Sequence, residues 1–247
     1  MFKKTITIMG VIGMILSTGG DSFANDNILL DLRTRDTNEI KQDLINIGTS
    51  DQYIDELAQS LKNNELPDCL NSNKKNNKEL IEKIETSQKI EYVYEYEDGS
   101  ISREGIDYSE STAIEINEDG TINARYTGTV VKPSPSSSSS YHTQYIGATA
   151  YGDTAYTMSQ MKVDFTTVKS GAGHSYIERV YSGKSTGKLI NTTSTTKNPS
   201  IIRKTATSSN PATATFEYKI NNTAVKCILA FNVIGTTAKA AANEYTN

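Results

Sequence analysis

The sequence predicts an α+β chain: a short N-terminal helical hairpin, then a mainly antiparallel β region, with a β-sandwich in the C-terminal half. Three observations predict it. Apolar residues recur at helical spacing between residues 36 and 62. From residue 89 onward they recur every second position. Turn-forming residues punctuate that second region at intervals of about a dozen residues, the spacing of short sandwich strands.

The chain has 247 residues and a formal net charge of −4. Lys3 and Lys4 precede an apolar run over residues 5–16, and Ser22-Phe23-Ala24 offers small residues before a cleavage point. This is the pattern of a signal peptide over 1–24, cut after Ala24, on a secreted protein. The apolar run is too short to span a bilayer, and no later stretch is apolar enough to do so.

Residues 25–88 read as a helical N-terminal region. Asp36 with Glu39 makes a capping-box start, and Ile40, Leu44 and Ile47 share a face. Gly48 ends that helix. Thr49 with Gln52 starts a second, whose face is Ile54, Leu57, Ala58 and Leu61. Leu80, Ile81 and Ile84 suggest a short third helix over 79–86.

The stretch LINIGTSDQYIDELAQSLKNNELPD resembles segments near the start of uncharacterised exported proteins of low-GC Gram-positive bacteria. In those, a similar helix pair precedes a β-rich region. The resemblance implies export and a helical N-terminal module. It brings no activity and no site residues with it.

Residues 89–131 read as an acidic β-hairpin region. Ile90, Tyr92, Tyr94 and Tyr96 alternate with Glu91, Val93, Glu95 and Glu97. Asp98-Gly99 and Asp119-Gly120 are two-residue hairpin turns, and their recurrence suggests two consecutive hairpins in a small meander. Neither turn has the ligand ladder of a calcium loop.

Pro133, Pro135 and a serine run mark a linker over 132–140, where the charge also reverses. Residues 25–140 carry 12 Lys/Arg and 23 Asp/Glu, whereas residues 141–247 carry 11 and 5. The acidic half and the basic domain 141–247 therefore attract one another, or the first shields the second. In 141–247, Phe216, Tyr218 and Ile220 form one strand, Asn221-Asn222 a turn, and Val225 to Val233 another strand.

The inventory for catalysis is poor. Only His142 and His174 are available, and no nucleophile elbow, phosphate loop or metal-ligand spacing occurs. No catalytic residue, metal site or cofactor is therefore assigned, and the chain leans away from an enzyme. The acid pair Glu178 and Glu217 keeps a secreted hydrolase open as one alternative. A pro-toxin or bacteriocin-like effector with an acidic pro-region is another, because 28 of the last 107 residues are Ser or Thr. The preferred reading is a non-enzymatic binding module. Its candidate ligand-binding residues are Tyr141, Tyr145, His174, Tyr176 and Glu178. The basic domain suggests an anionic cell-surface polymer or lipid head groups as partner, and the lack of an arginine cluster argues against nucleic acid. Cys69 and Cys227 admit two readings: a disulfide tying the halves together, or thiols buried as small apolar groups.

Overall fold

The computed structural model describes residues 34–131 (except 64, 72 and 75), 140–188 (except 155 and 170–173), 194–220 and 225–246. The expected signal peptide and the Asn221-Asn222 turn lie outside these residues, as does most of the Pro/Ser linker. Within them the chain is mostly antiparallel β with two helices. None of the described helices is long and apolar enough to cross a membrane.

Helix α1 (Thr37–Ile47) starts where Asp36 accepts a hydrogen bond from the Asn38 amide. It ends at Gly48, whose φ of 97° lies in the left-handed region that suits glycine. Helix α2 (Asp51–Lys62) is capped by Ser50, not Thr49, and Ser50 makes no side-chain cap bond. The apolar residues expected to share a face on each helix are all buried.

The expected third helix is instead strand β1 (Lys78–Glu85). Its residues favour helix in isolation, but pairing with the tyrosine-rich β2 (Lys89–Tyr96) overrides that preference. β1 is an edge strand with most side chains exposed, and its lysines and glutamates suit a solvated edge.

Asp98-Gly99 joins β2 to β3 (Ile101–Asp107), and Asp119-Gly120 joins β4 (Thr112–Asn117) to β5 (Ile122–Thr127). Both glycines have positive φ, 77° and 84°. The two hairpins do not form a meander. Each docks separately on the long strand β6 (Ser140–Thr154): β4 pairs with its first half and β3 with its second. Along the other edge of β6 run β7 (Thr157–Val168) and then β8 (Tyr176–Gly187). The strands on either side of the Pro/Ser stretch thus share one sheet. The charge reversal does not coincide with a break in the fold.

A second sheet comprises β10 (Ser200–Arg203), β11 (Ala212–Ile220), β12 (Val225–Ile234) and β13 (Thr237–Thr246), with β9 (Ser194–Thr196) paired to β11 beside β10. It contacts the first sheet, β11 over β8, β12 over β7 and β13 over β3 and β6. One hydrophobic cluster spans both sheets and the helices. An aromatic chain runs through it. Tyr108 contacts Tyr145 at 5.1 Å between ring centroids, Tyr145 stacks on Phe165 at 4.9 Å, and Phe165 meets Phe231 of the second sheet at 4.9 Å. Two glycines permit the close approach of the layers. A Cβ on Gly152 would lie 2.5 Å from that of Ala242, and one on Gly183 would lie 2.5 Å from the Phe216 ring.

Candidate functional site

The residues expected to form a binding face do not assemble into one. Tyr145 points inward, 4 % exposed, and its hydroxyl donates to the Val131 carbonyl. The Tyr141 side chain lies outside the described residues. His174 is exposed and precedes β8 rather than lying within it. Tyr176 and Glu178 are on β8, and Glu178 accepts a hydrogen bond from Gln144 at 2.8 Å. Along β8 strict in–out alternation is broken. Phe165 pairs with Ile177 and Asp164 with Arg179, which leaves Glu178 as an extra residue in a bulge. Ile177 is consequently buried while Glu178 and Arg179 are both exposed. Nor do Glu178 and Glu217 meet. Glu217 belongs to the second sheet, where it pairs with Lys197 at 2.7 Å and Lys226 at 3.2 Å.

A different cluster is built on the face of the first sheet turned away from the second. Glu91 of β2 pairs in register with Gly105 of β3, and Gly105 with Tyr151 of β6. Gly105 has no side chain, so the Tyr151 ring lies across it and reaches Glu91. The Tyr151 hydroxyl donates to Glu91 Oε2 at 2.5 Å. Arg103 Nη1 approaches Glu91 Oε1 at 3.5 Å, and Lys89 Nζ lies 3.4 Å from the same oxygen. Glu91 is only 5 % exposed, so these three donors offset the cost of holding a carboxylate out of water.

Arg103 also donates through Nη2 to the Ile47 carbonyl at 3.2 Å. That carbonyl belongs to the last turn of α1, which has no intrahelical donor and carries partial negative charge. A Cβ on Gly48 would come within 3.3 Å of Arg103 Nη2, so the glycine that ends the helix also leaves room for the guanidinium. Beyond Arg103, its partner Asp153 pairs with Lys188, the residue after β8. Asp43, Asn46 and Ile47 of α1 and Lys188 line a shallow cleft of about 150 Å³ beside this cluster.

The electrostatics follow from burial. Desolvation raises the Asp153 pKa, and the Lys188 ammonium and Arg103 oppose the rise. The Tyr151 phenol is pushed far above its ordinary range, first by burial and then by its bond to Glu91. Tyr151 holds its proton toward Glu91.

A second polar knot lies further along the same sheet. Asp164, 4 % exposed, accepts from the Gly147 amide at 2.8 Å, from Arg179 Nε at 2.9 Å and from the Tyr181 hydroxyl at 3.2 Å. Gly147 has a φ of 79° and sits at the bulge that turns its amide toward Asp164. Among the described residues, no group of His, Cys, Asp and Glu is arranged to hold a metal ion.

Comparison with known protein families, with curated proteins and with solved structures finds no match for this chain.

Sequence reasoning missed the Glu91 cluster because Glu91 looks like a solvent-facing member of an alternating strand. One signal was present. A glycine inside a strand, Gly105 in ISREGID, often marks close approach by another group. Gly105→Ala tests that role. Its Cβ would lie 2.5 Å from the Tyr151 hydroxyl and 2.8 Å from the Ile90 carbonyl. The expected loss is about 1–3 kcal/mol of stability in urea unfolding. An unchanged midpoint would show that Tyr151 does not lie across this position.

Proposed function

We propose that this chain is an exported β-sandwich protein that binds a hydroxyl-rich surface polymer through the cleft between α1 and the first sheet. The observation that carries this reading is the cleft's lining. Asp43, Asn46 and Lys188 present polar groups around it, with Arg103 and Asp153 beside them. Such a set includes both donors and acceptors, the kinds of group that sugar hydroxyls bind. The cleft lies at the C-terminal end of α1, beside the residue that follows β8.

Part of the positive charge of 141–247 is neutralised within the chain, which supports a neutral ligand. Five of its eleven Lys/Arg pair with acidic side chains of the chain itself. Lys162 pairs with Glu110, Arg179 with Asp164, Lys188 with Asp153, and both Lys197 and Lys226 with Glu217. Lys162–Glu110 crosses from the basic to the acidic half, so part of the attraction between the halves is internal.

The test is retention of purified cell-wall carbohydrate, separated into neutral and anionic fractions, at low and high salt. The neutral fraction should be retained at both. Asn46→Ala and Lys188→Ala should each weaken retention about tenfold, the worth of roughly one good hydrogen bond to a charged or polar group. Failure to retain the neutral fraction, or equal retention by both variants, would overturn the proposal. Salt-sensitive retention of the anionic fraction alone would restore the polyanion reading.

A further inference from the structure

Cys69 and Cys227 are buried as thiols rather than joined as a disulfide. A cross-link of another kind is prepared beside the Glu91 cluster. Asp153 is the next-to-last residue of β6, in register with Arg103 of β3 and Met158 of β7. Lys188 directly follows β8, and its amide donates to the Tyr156 carbonyl at 2.8 Å. Backbone pairing therefore fixes the two residues on opposite flanks of β7. Their side chains meet: Lys188 Nζ lies against Asp153 Oδ1, and that oxygen is shielded from water.

The surroundings set this pair apart from ion pairs at the surface. Lys41 meets Asp55 at 2.7 Å and Lys162 meets Glu110 at 2.7 Å, but Asp55 is 85 % exposed and Glu110 79 %. Water keeps those carboxylates ionised. The Asp153 side chain is 21 % exposed. Its burial raises its pKa, and the negative charge of Glu91 adds to the rise. Both influences favour passage of a proton from the Lys188 ammonium to Asp153. The product is a neutral amine held beside a neutral carboxylic acid, and a desolvated lysine amine is a nucleophile.

We propose that Lys188 and Asp153 condense into an intramolecular isopeptide bond that ties the end of β8 to the end of β6. The ammonium gives one proton to the carboxylate. The amine lone pair then attacks Asp153 Cγ, and the Nζ–Cγ bond forms. The Cγ–OH bond breaks, and a second Nζ proton leaves with the hydroxyl as water. One ammonium and one carboxylate become one amide and one water, so atoms and charge balance and no oxidant enters. The fold supplies the proximity of the reacting groups. Arg103, opposite Asp153 in register, offers positive charge to the oxygen that becomes negative during the attack. The bond needs only this pair and no ligand in the cleft, so it stands apart from the carbohydrate reading.

The experiment is tryptic peptide mapping of the purified, folded full chain. An amide on Lys188 blocks cleavage after it. The expected product is peptide 126–162 joined to peptide 185–197, about 18 Da lighter than the two together, from the water lost. Lys188→Arg keeps a positive charge beside Asp153 but has no amine to acylate, and should yield no joined peptide. Asp153→Ala should yield none either, with cleavage after Lys188 restored. Recovery of the wild-type chain entirely as separate peptides 185–188 and 189–197 would overturn the proposal. So would a loss of about 18 Da that maps to the Asp98-Gly99 or Asp119-Gly120 turn in place of a joined pair, or a joined pair that persists in Lys188→Arg.

Discussion

Phe231→Ala lowers the stability of the folded chain by about 3–5 kcal/mol, the range for deleting a buried aromatic ring. Phe231 is fully buried and is the second sheet's contact in the aromatic chain that passes through Phe165 and Tyr145 to Tyr108. Its removal leaves a cavity between the layers and also strips the Phe165 ring of a tilted partner. Cavity and lost transfer energy add, because a close-packed core relaxes only in part. The aromatic chain begins in the acidic half and ends in the basic half, so the two halves should unfold together. Urea unfolding followed by tyrosine fluorescence and far-UV circular dichroism should give one coincident transition, shifted to lower denaturant in the variant. A loss below about 1 kcal/mol would mean that the layers do not meet at this ring.

The second large effect is a steep alkaline unfolding. Burial raises the pKa of Tyr94 and of Tyr145 to about 12, and pushes those of Tyr108 and Tyr151 higher still. In the unfolded chain all four phenols ionise near pH 10. Each is thus more acidic unfolded than folded. The stability linked to them is fully present below pH 10 and is lost as pH rises from 10 through the folded values. Each unit of difference is worth about 1.4 kcal/mol, and several groups act together. Absorbance at the phenolate band should show exposed tyrosines titrating first, followed by a sharp step coincident with loss of β structure. Gradual ionisation of every tyrosine around pH 10, with the fold intact, would contradict the burial described. Tyr108→Phe should blunt the step, because it removes a deeply buried titrating hydroxyl.

How much of this was legible in the sequence depends on whether the cause was local. The two helices were, since Asp36, Gly48 and the apolar spacing act within a few residues. The Asp-Gly hairpins were also legible, because their turns need only a residue that tolerates positive φ. Strand β1 was not. KELIEKIE has helical composition, and only pairing with β2 makes it a strand. The docking of both hairpins on β6 was equally hidden, since the pairing partners lie across the Pro/Ser stretch. Charge reversal and composition both pointed to a boundary there, but backbone pairing joins the two sides.

The site failed for a related reason. A bulge lies beside Tyr145 on β6 and another at Glu178 on β8, and the sequence pattern carries no sign of either. The groups that do converge come from β2, β3, β6, the end of α1 and the end of β8. Only the third dimension brings Glu91, Arg103, Tyr151, Asp153 and Lys188 together.

The most direct test of the proposed binding site is amide hydrogen exchange of the full chain with and without the retained neutral wall carbohydrate. The proposal predicts added protection at Asn46 to Gly48, at Arg103 to Gly105, at Tyr151 to Asp153 and at Lys188, with little change elsewhere. Protection confined to His174 to Glu178, or to the outward face of the second sheet, would contradict it.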